Sequence, residues 1–134
     1  MLLRACRHLL AVLAGFLAFT ALGGGLALMS GLGAPPLAML AGTPFASYRV
    51  PGFCLFFLVG GTALAATIAL VRRHRRAPIL AAAAGSAILV FEWVEVLAIG
   101  SPPGVARTLQ VLYVALGIAL LAGQILVLHL QEAS

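Results

Sequence analysis

Glu92 and Glu95 are the residues of this chain best placed to do chemistry. They lie three apart in a run that is otherwise uncharged and mostly apolar from Pro78 to Ile99. That spacing puts two helical side chains on one face. Carboxyl groups inside a membrane-length segment are rare, and they commonly mark a ligand, ion or proton site. Extending their face gives Ala81, Gly85, Ile88, Glu92, Glu95 and Ile99. One half of this stripe is small and suited to close packing, and the other half is acidic.

The next apolar run carries a stripe that answers it: Arg107, Gln110, Val114, Gly117, Leu121, Gln124 and Leu128. Between the two runs, Ser101-Pro102-Pro103-Gly104 reads as a tight turn. The two segments therefore form an antiparallel hairpin, in which residues equidistant from the turn face each other. This sets Glu95 beside Arg107 or Gln110, and Glu92 beside Gln110 or Tyr113. Tyr48 and Arg49, from an earlier loop, fall at the same end.

Two readings of the cluster follow. In one, Glu92, Glu95, Arg107, Gln110, Tyr113, Tyr48 and Arg49 form an outer-leaflet polar pocket for a small ligand, a lipid headgroup or a cation. In the other they are a structural pin that fixes the hairpin register. Interhelical hydrogen bonds in membranes average only about 0.6 kcal/mol. Stability alone is thus a modest reason to place two glutamates there.

The remaining polar residues suggest less. Arg72, Arg73, Arg75 and Arg76 surround His74 and read as a topology determinant. Such a cluster attracts anionic lipid headgroups at about 1 kcal/mol per charge. His8, His74 and His129 fall at the same boundary. Three histidines can bind a metal and two can ligate a haem, but none of these has ligand-like spacing or lies deep in a span. No metal and no cofactor are expected. There is no nucleophile–base pair, so the expected function is non-enzymatic. Cys6 and Cys54 fall on opposite sides of the membrane, beyond the roughly 7 Å Cα separation that a disulfide bridges. Trp93 and Tyr113 suit an interfacial aromatic belt, and Cys54 suits a small packing position.

The elements that must position these residues are set by composition. Of 134 residues, 63% are hydrophobic, and the mean hydropathy is +1.18. Soluble domains are about 45–50% apolar, so the bilayer is the solvent for most of this chain. Net charge is +5, all of the basic residues are Arg, and Lys, Asp and Asn are absent. The charges gather at span ends, where topology accounts for them, which excludes nucleic acid as a partner.

Spans are predicted over about 9–29, 53–71, 78–99 and 105–130 of a single membrane domain, 1–134. The fold class is all-α, a four-transmembrane-helix bundle running up-down-up-down. The first run is long for a signal-peptide core and no clear A-x-A site follows it, so it is expected to remain as a helix. Ser30 to Pro51 is a Gly/Pro-rich linker. Pro35-Pro36 is expected to open a short interfacial helix through Leu40. Pro44, Phe45 and Tyr48 read as a surface anchor, and Pro51 suits a first helical turn. Gly61, Ala65 and Ala69 form a small-xxx-small row for close helix approach. Arg4, Arg7 and the cluster at 72–76 share one side, opposite Arg49 and Arg107. The positive-inside rule then places both termini in the cytoplasm, in the cell inner (plasma) membrane.

The segment Thr43-Pro44-Phe45-Ala46-Ser47-Tyr48-Arg49-Val50-Pro51-Gly52 resembles the first outer loop of a group of small uncharacterised bacterial four-helix integral membrane proteins, with their Pro-Phe, Tyr and Pro-Gly pattern. Leu109-Gln110, Tyr113 and Gly117 are similar to the last span of that group. The resemblance implies fold and location and carries no activity.

The function expected is that of a small binding or accessory membrane protein. Its partners would be a bilayer with anionic headgroups and either a second copy of itself or a partner membrane protein. The alternative is a small transporter or proton/cation pathway built on Glu92 and Glu95. A pathway needs polar stations through the whole depth, and the cytoplasmic half offers only Gln124.

Overall fold

A computed structural model describes residues 1–32 and 36–133. Four helices dominate it: α1 (Leu2–Ser30), α2 (Arg49–Val71), α3 (Ala77–Ile99) and α4 (Val105–Ala133). Their most apolar windows have mean hydropathies of 2.1, 2.3, 1.8 and 2.5. Each is long enough to cross the roughly 30 Å of a hydrocarbon core at 1.5 Å per residue. Among the described residues there is no strand.

The chain runs up-down-up-down. α1 packs on α2 and α4, α3 packs on α2 and α4, and α1 and α3 scarcely touch across the diagonal. The start of α1, the end of α4 and the α2–α3 connection therefore share one end of the bundle, here the terminal end. The α1–α2 linker and the α3–α4 turn share the loop end.

The core is made of small residues flanked by a few branched ones. Ala14, Leu17, Ala21, Val59, Ala63, Ala66, Ala81, Ala84, Ile88 and Leu120 are all but fully buried. Alanine and glycine let backbones come together, which is how helices gain dispersion energy where lipid removes the hydrophobic drive. Gly25 and Gly52 mark the closest approach of α1 and α2. A Cβ on Gly25 would stand 2.8 Å from the Gly52 carbonyl oxygen, and one on Gly52 would stand 2.9 Å from that of Gly25. Gly85 and Gly117 do the same for α3 and α4, with a Gly85 Cβ 3.0 Å from the Gly117 oxygen. Large apolar side chains such as Phe19, Ile79, Trp93 and Ile125 point outward.

Several sequence-based boundaries shift. α2 begins at Arg49, four residues before the expected start at Phe53, and Pro51 sits in its first turn. Proline is tolerated there because the first amides have no intrahelical acceptor. From Cys54 to Gly60 the helix widens to π geometry. The expected interfacial helix is a single 3₁₀ turn, Leu37–Leu40, beginning after Pro36; Pro35 lies outside the described residues.

The Gly61/Ala65/Ala69 row is not the close-packed face. A Cβ on Gly61 would meet nothing within 4 Å, whereas one on Gly60 would collide with Leu22 at 2.7 Å. The buried face is Gly60, Ala63 and Ala66, with Ala69 at its edge. Two rows of small residues lie side by side on α2, and only the position of α1 selects between them.

Candidate functional site

The polar cluster forms at the loop end, where α3 and α4 meet their turn. Glu92 and Gln110 are buried, at 3% and 4% exposure, and Glu95 is half-buried. Two carboxyl groups one turn apart on α3 thus face the α4 stripe. The Gln110 amide Nε2 donates to Glu95 Oε2 at 2.9 Å and to the Gly100 carbonyl oxygen at 3.1 Å. With acceptors on both sides of Nε2, the orientation of this amide is fixed by its hydrogen bonds. The second bond satisfies a carbonyl just past the end of α3, where the backbone turns out of the helix at Gly100, φ 71°.

Arg107 departs from the pairing expected of it. Its Nη2 donates to the Ser101 carbonyl oxygen at 2.6 Å, and its Nε approaches the same oxygen at 3.2 Å and Ser101 Oγ at 3.3 Å. It is the third residue of α4, and helical side chains lean toward the N-terminus. The guanidinium therefore closes over the turn that precedes it. Gln110, one turn deeper and facing α3, is left as the partner of Glu95.

Tyr48 joins the cluster from the linker. It is 7% exposed, and its hydroxyl donates to the Pro36 carbonyl oxygen at 3.0 Å, pinning both ends of the linker segment together. Burial raises the phenol above its ordinary value of 10.0, and the charge of nearby Glu95 raises it further. The linker is thereby coupled electrostatically to the hairpin. Arg49 is exposed and lines a shallow cleft of about 350 Å³ with Met29, Val50 and Phe53. Tyr113 is half-buried and packs against the apolar core. The structure therefore gathers Glu92, Glu95, Gln110 and Tyr48, and leaves Arg107 and Arg49 facing outward.

Three buried polar atoms have no hydrogen-bond partner among the described residues: Glu92 Oε2, Gln110 Oε1 and Gln124 Nε2. Native structures satisfy most such atoms, and an exception calls for a physical reason. Two of the three, Glu92 Oε2 and Gln110 Oε1, belong to this cluster. Two such oxygens beside the half-buried Glu95 could take a cation or a group bearing several N–H donors.

Sequence reasoning missed the Gly100 and Ser101 carbonyls as partners. The available signal was the helix end itself, since a helix that stops at a Gly-Ser-Pro-Pro turn leaves carbonyls for nearby donors to find. At the terminal end, Arg72, Arg73, Arg75 and Arg76 are all exposed, and the Arg76 amide donates to His74 Nδ1 at 3.0 Å. Among the described residues no three His, Cys, Asp or Glu side chains come together as a metal site. Cys6 and Cys54 are free thiols at opposite ends of the bundle.

No family model, curated protein or solved structure matches this chain.

Proposed function

We propose that this protein is a plasma-membrane binding or accessory protein whose outer-leaflet cluster holds an N–H-bearing cationic group through Glu92, Glu95 and Gln110. Both termini lie in the cytoplasm in this reading, as the arginine distribution favours. The observation that carries it is the pair of buried oxygens, Glu92 Oε2 and Gln110 Oε1, that have no hydrogen-bond partner among the described residues, beside the half-buried Glu95. Two carboxyl groups in a low-dielectric setting repel when ionised, and an inserted ammonium relieves both the repulsion and the missing bonds. Glu95, open on one side, is the point of entry.

A primary ammonium headgroup meets this description and a quaternary one does not, because the latter has no N–H. The purified chain should retain phosphatidylethanolamine over phosphatidylcholine when its lipid adducts are weighed by native mass spectrometry. Glu92→Gln should remove the preference. Equal retention of the two lipids by the wild type would refute the reading.

The alternative, a proton or cation pathway, is favoured by one observation: Gln124 is a buried, unpartnered polar group in the other half of α4, at 4% exposure. Gln110 and Gln124 are 14 residues apart, about 21 Å along the helix. Gly117 against Ile88, and Leu120 against Gly85, fill that interval with apolar contacts. This favours binding over conduction. A liposome assay for proton, sodium and potassium flux separates the two, since a flux abolished by Glu92→Gln would establish the pathway.

A further inference from the structure

At the opposite, terminal end of the bundle, a second site is built from two elements far apart in sequence. A cavity of about 380 Å³ opens between the start of α1 and the end of α2. Arg4, Arg7, His8 and Arg73 contribute its polar lining, and Leu3 and Leu70 are among its apolar lining residues. The chain has only three acidic residues. Two of them are at the loop end, and the third, Glu132, lies near the end of α4. Among the described residues no carboxylate pairs with Arg4, Arg7 or Arg73. Like charges gathered without counter-charges repel, so such a wall is stabilised by an anion.

Arg73 reaches this wall through an unusual backbone. α2 ends in a Schellman turn: the His74 amide donates to the Ala69 carbonyl oxygen at 2.9 Å, and the Arg73 amide to that of Leu70 at 3.3 Å. The residue at the left-handed position of this motif is usually glycine. Here it is Arg73, with φ 54°, the one non-glycine residue at positive φ among those described. A side chain in that region strains the backbone, and strained positions persist where something else requires the side chain. Arg72, Arg75 and Arg76 in the same turn do not line the cavity.

We propose that this cavity is a binding site for a phosphate group carried by an amphiphile, an anionic phospholipid whose headgroup meets Arg4, Arg7 and Arg73 while its glycerol and upper acyl carbons lie along Leu3 and Leu70. The site is distinct from the glutamate cluster and stands whether or not that cluster binds an ammonium. Guanidinium groups pair with phosphate oxygens in bidentate fashion, and Leu3, Ala11, Leu70 and Val71 supply apolar lining in the same cavity.

Native mass spectrometry of the full chain in detergent, with phosphatidylglycerol, phosphatidylcholine or glycerol phosphate added, tests it. The wild type should retain phosphatidylglycerol over phosphatidylcholine. Arg73→Gly places the preferred residue at the left-handed position, so the fold should hold, and phosphatidylglycerol retention should fall about fivefold. Arg4→Gln with Arg7→Gln should lower it further. Arg75→Gln with Arg76→Gln, which removes two charges from outside the cavity, should cost less than either change inside it. Uptake of glycerol phosphate as readily as the lipid would keep the phosphate site and assign it to a soluble ligand. If the Arg75/Arg76 pair costs as much as Arg73, or if Arg73→Gly costs nothing, the attraction is a diffuse property of the surface and the site is refuted.

Discussion

Gln110 bridges Glu95 and the carbonyl of Gly100, bonding to the carboxylate at 2.9 Å and to the backbone at 3.1 Å. One amide thus locks α4 both to the acidic face of α3 and to the turn that joins them. Arg107, the formally better partner for a carboxylate, is occupied by Ser101.

This arrangement predicts a specific pattern of coupling. Gln110→Ala and Glu95→Ala should each destabilise the detergent-solubilised protein. The double variant should cost less than the sum, with a coupling of about 0.6 and at most about 1.7 kcal/mol. The same cycle between Glu95 and Arg107 should be additive. Coupling at Arg107 with none at Gln110 would show that the hairpin pairs as an ion pair instead.

The glycine contacts predict which substitutions the bundle tolerates. Gly25→Ala drives a methyl to within 2.7 Å of the Phe56 backbone nitrogen. Overpacking of this kind costs about 1–3 kcal/mol, and thermal unfolding in detergent should show it. Gly61→Ala meets open space and should be neutral or gain up to about 1 kcal/mol from helix propensity. A destabilising Gly61→Ala would mean that this face is covered, for instance by a second copy of the chain.

Tyr48 predicts a pH dependence at the alkaline end. Its phenol is raised above 10.0 in the folded protein, first by burial and then by Glu95. A raised value favours the protonated form, so its contribution to stability is complete below the unfolded value and is lost as pH rises through the folded one. The chain has two tyrosines. In a Tyr113→Phe variant, tyrosinate absorbance should therefore report Tyr48 alone, with a midpoint above 10.0. Glu95→Gln should move that midpoint down. A midpoint unmoved by Glu95→Gln would separate the linker from the cluster.

Sidedness is tested at Cys6 and at the C-terminus. In the proposed orientation, a membrane-impermeant thiol reagent should reach Cys6 in inverted vesicles and not in intact cells. A C-terminal reporter should work only if it is one that is active in the cytoplasm. Labelling of Cys6 in intact cells would invert the bundle and place the arginine cavity in the outer leaflet.

The sequence by itself determined four membrane-length helices, their up-down-up-down order and the acidic face of α3. These follow from quantities that add along the chain: apolar length against bilayer thickness, turn residues between runs, and the three-residue spacing of Glu92 and Glu95. The α3 stripe from Ala81 to Glu92 is buried as its periodicity implies. On α4 the central members Gln110, Gly117 and Gln124 are buried, while Arg107 and Leu128 at its ends are exposed.

The tertiary structure alone decided what depends on rotation and on side-chain reach. Gly60 and Gly61 are neighbours in sequence, but about 100° of helical rotation puts one against Leu22 and the other in open space. Arg107 and Gln110 are both within a turn of Glu95, and the lean of helical side chains toward the N-terminus gives one to Ser101 and the other to the carboxylate. Arg73 looks like Arg72, Arg75 and Arg76 in the sequence until the end of α2 twists it into the left-handed region. It then faces Arg4 and Arg7 across some seventy residues of chain. A one-dimensional pattern fixes a face only to within one helical position, and in a bundle of alanines and glycines that position is set by how closely the backbones can approach.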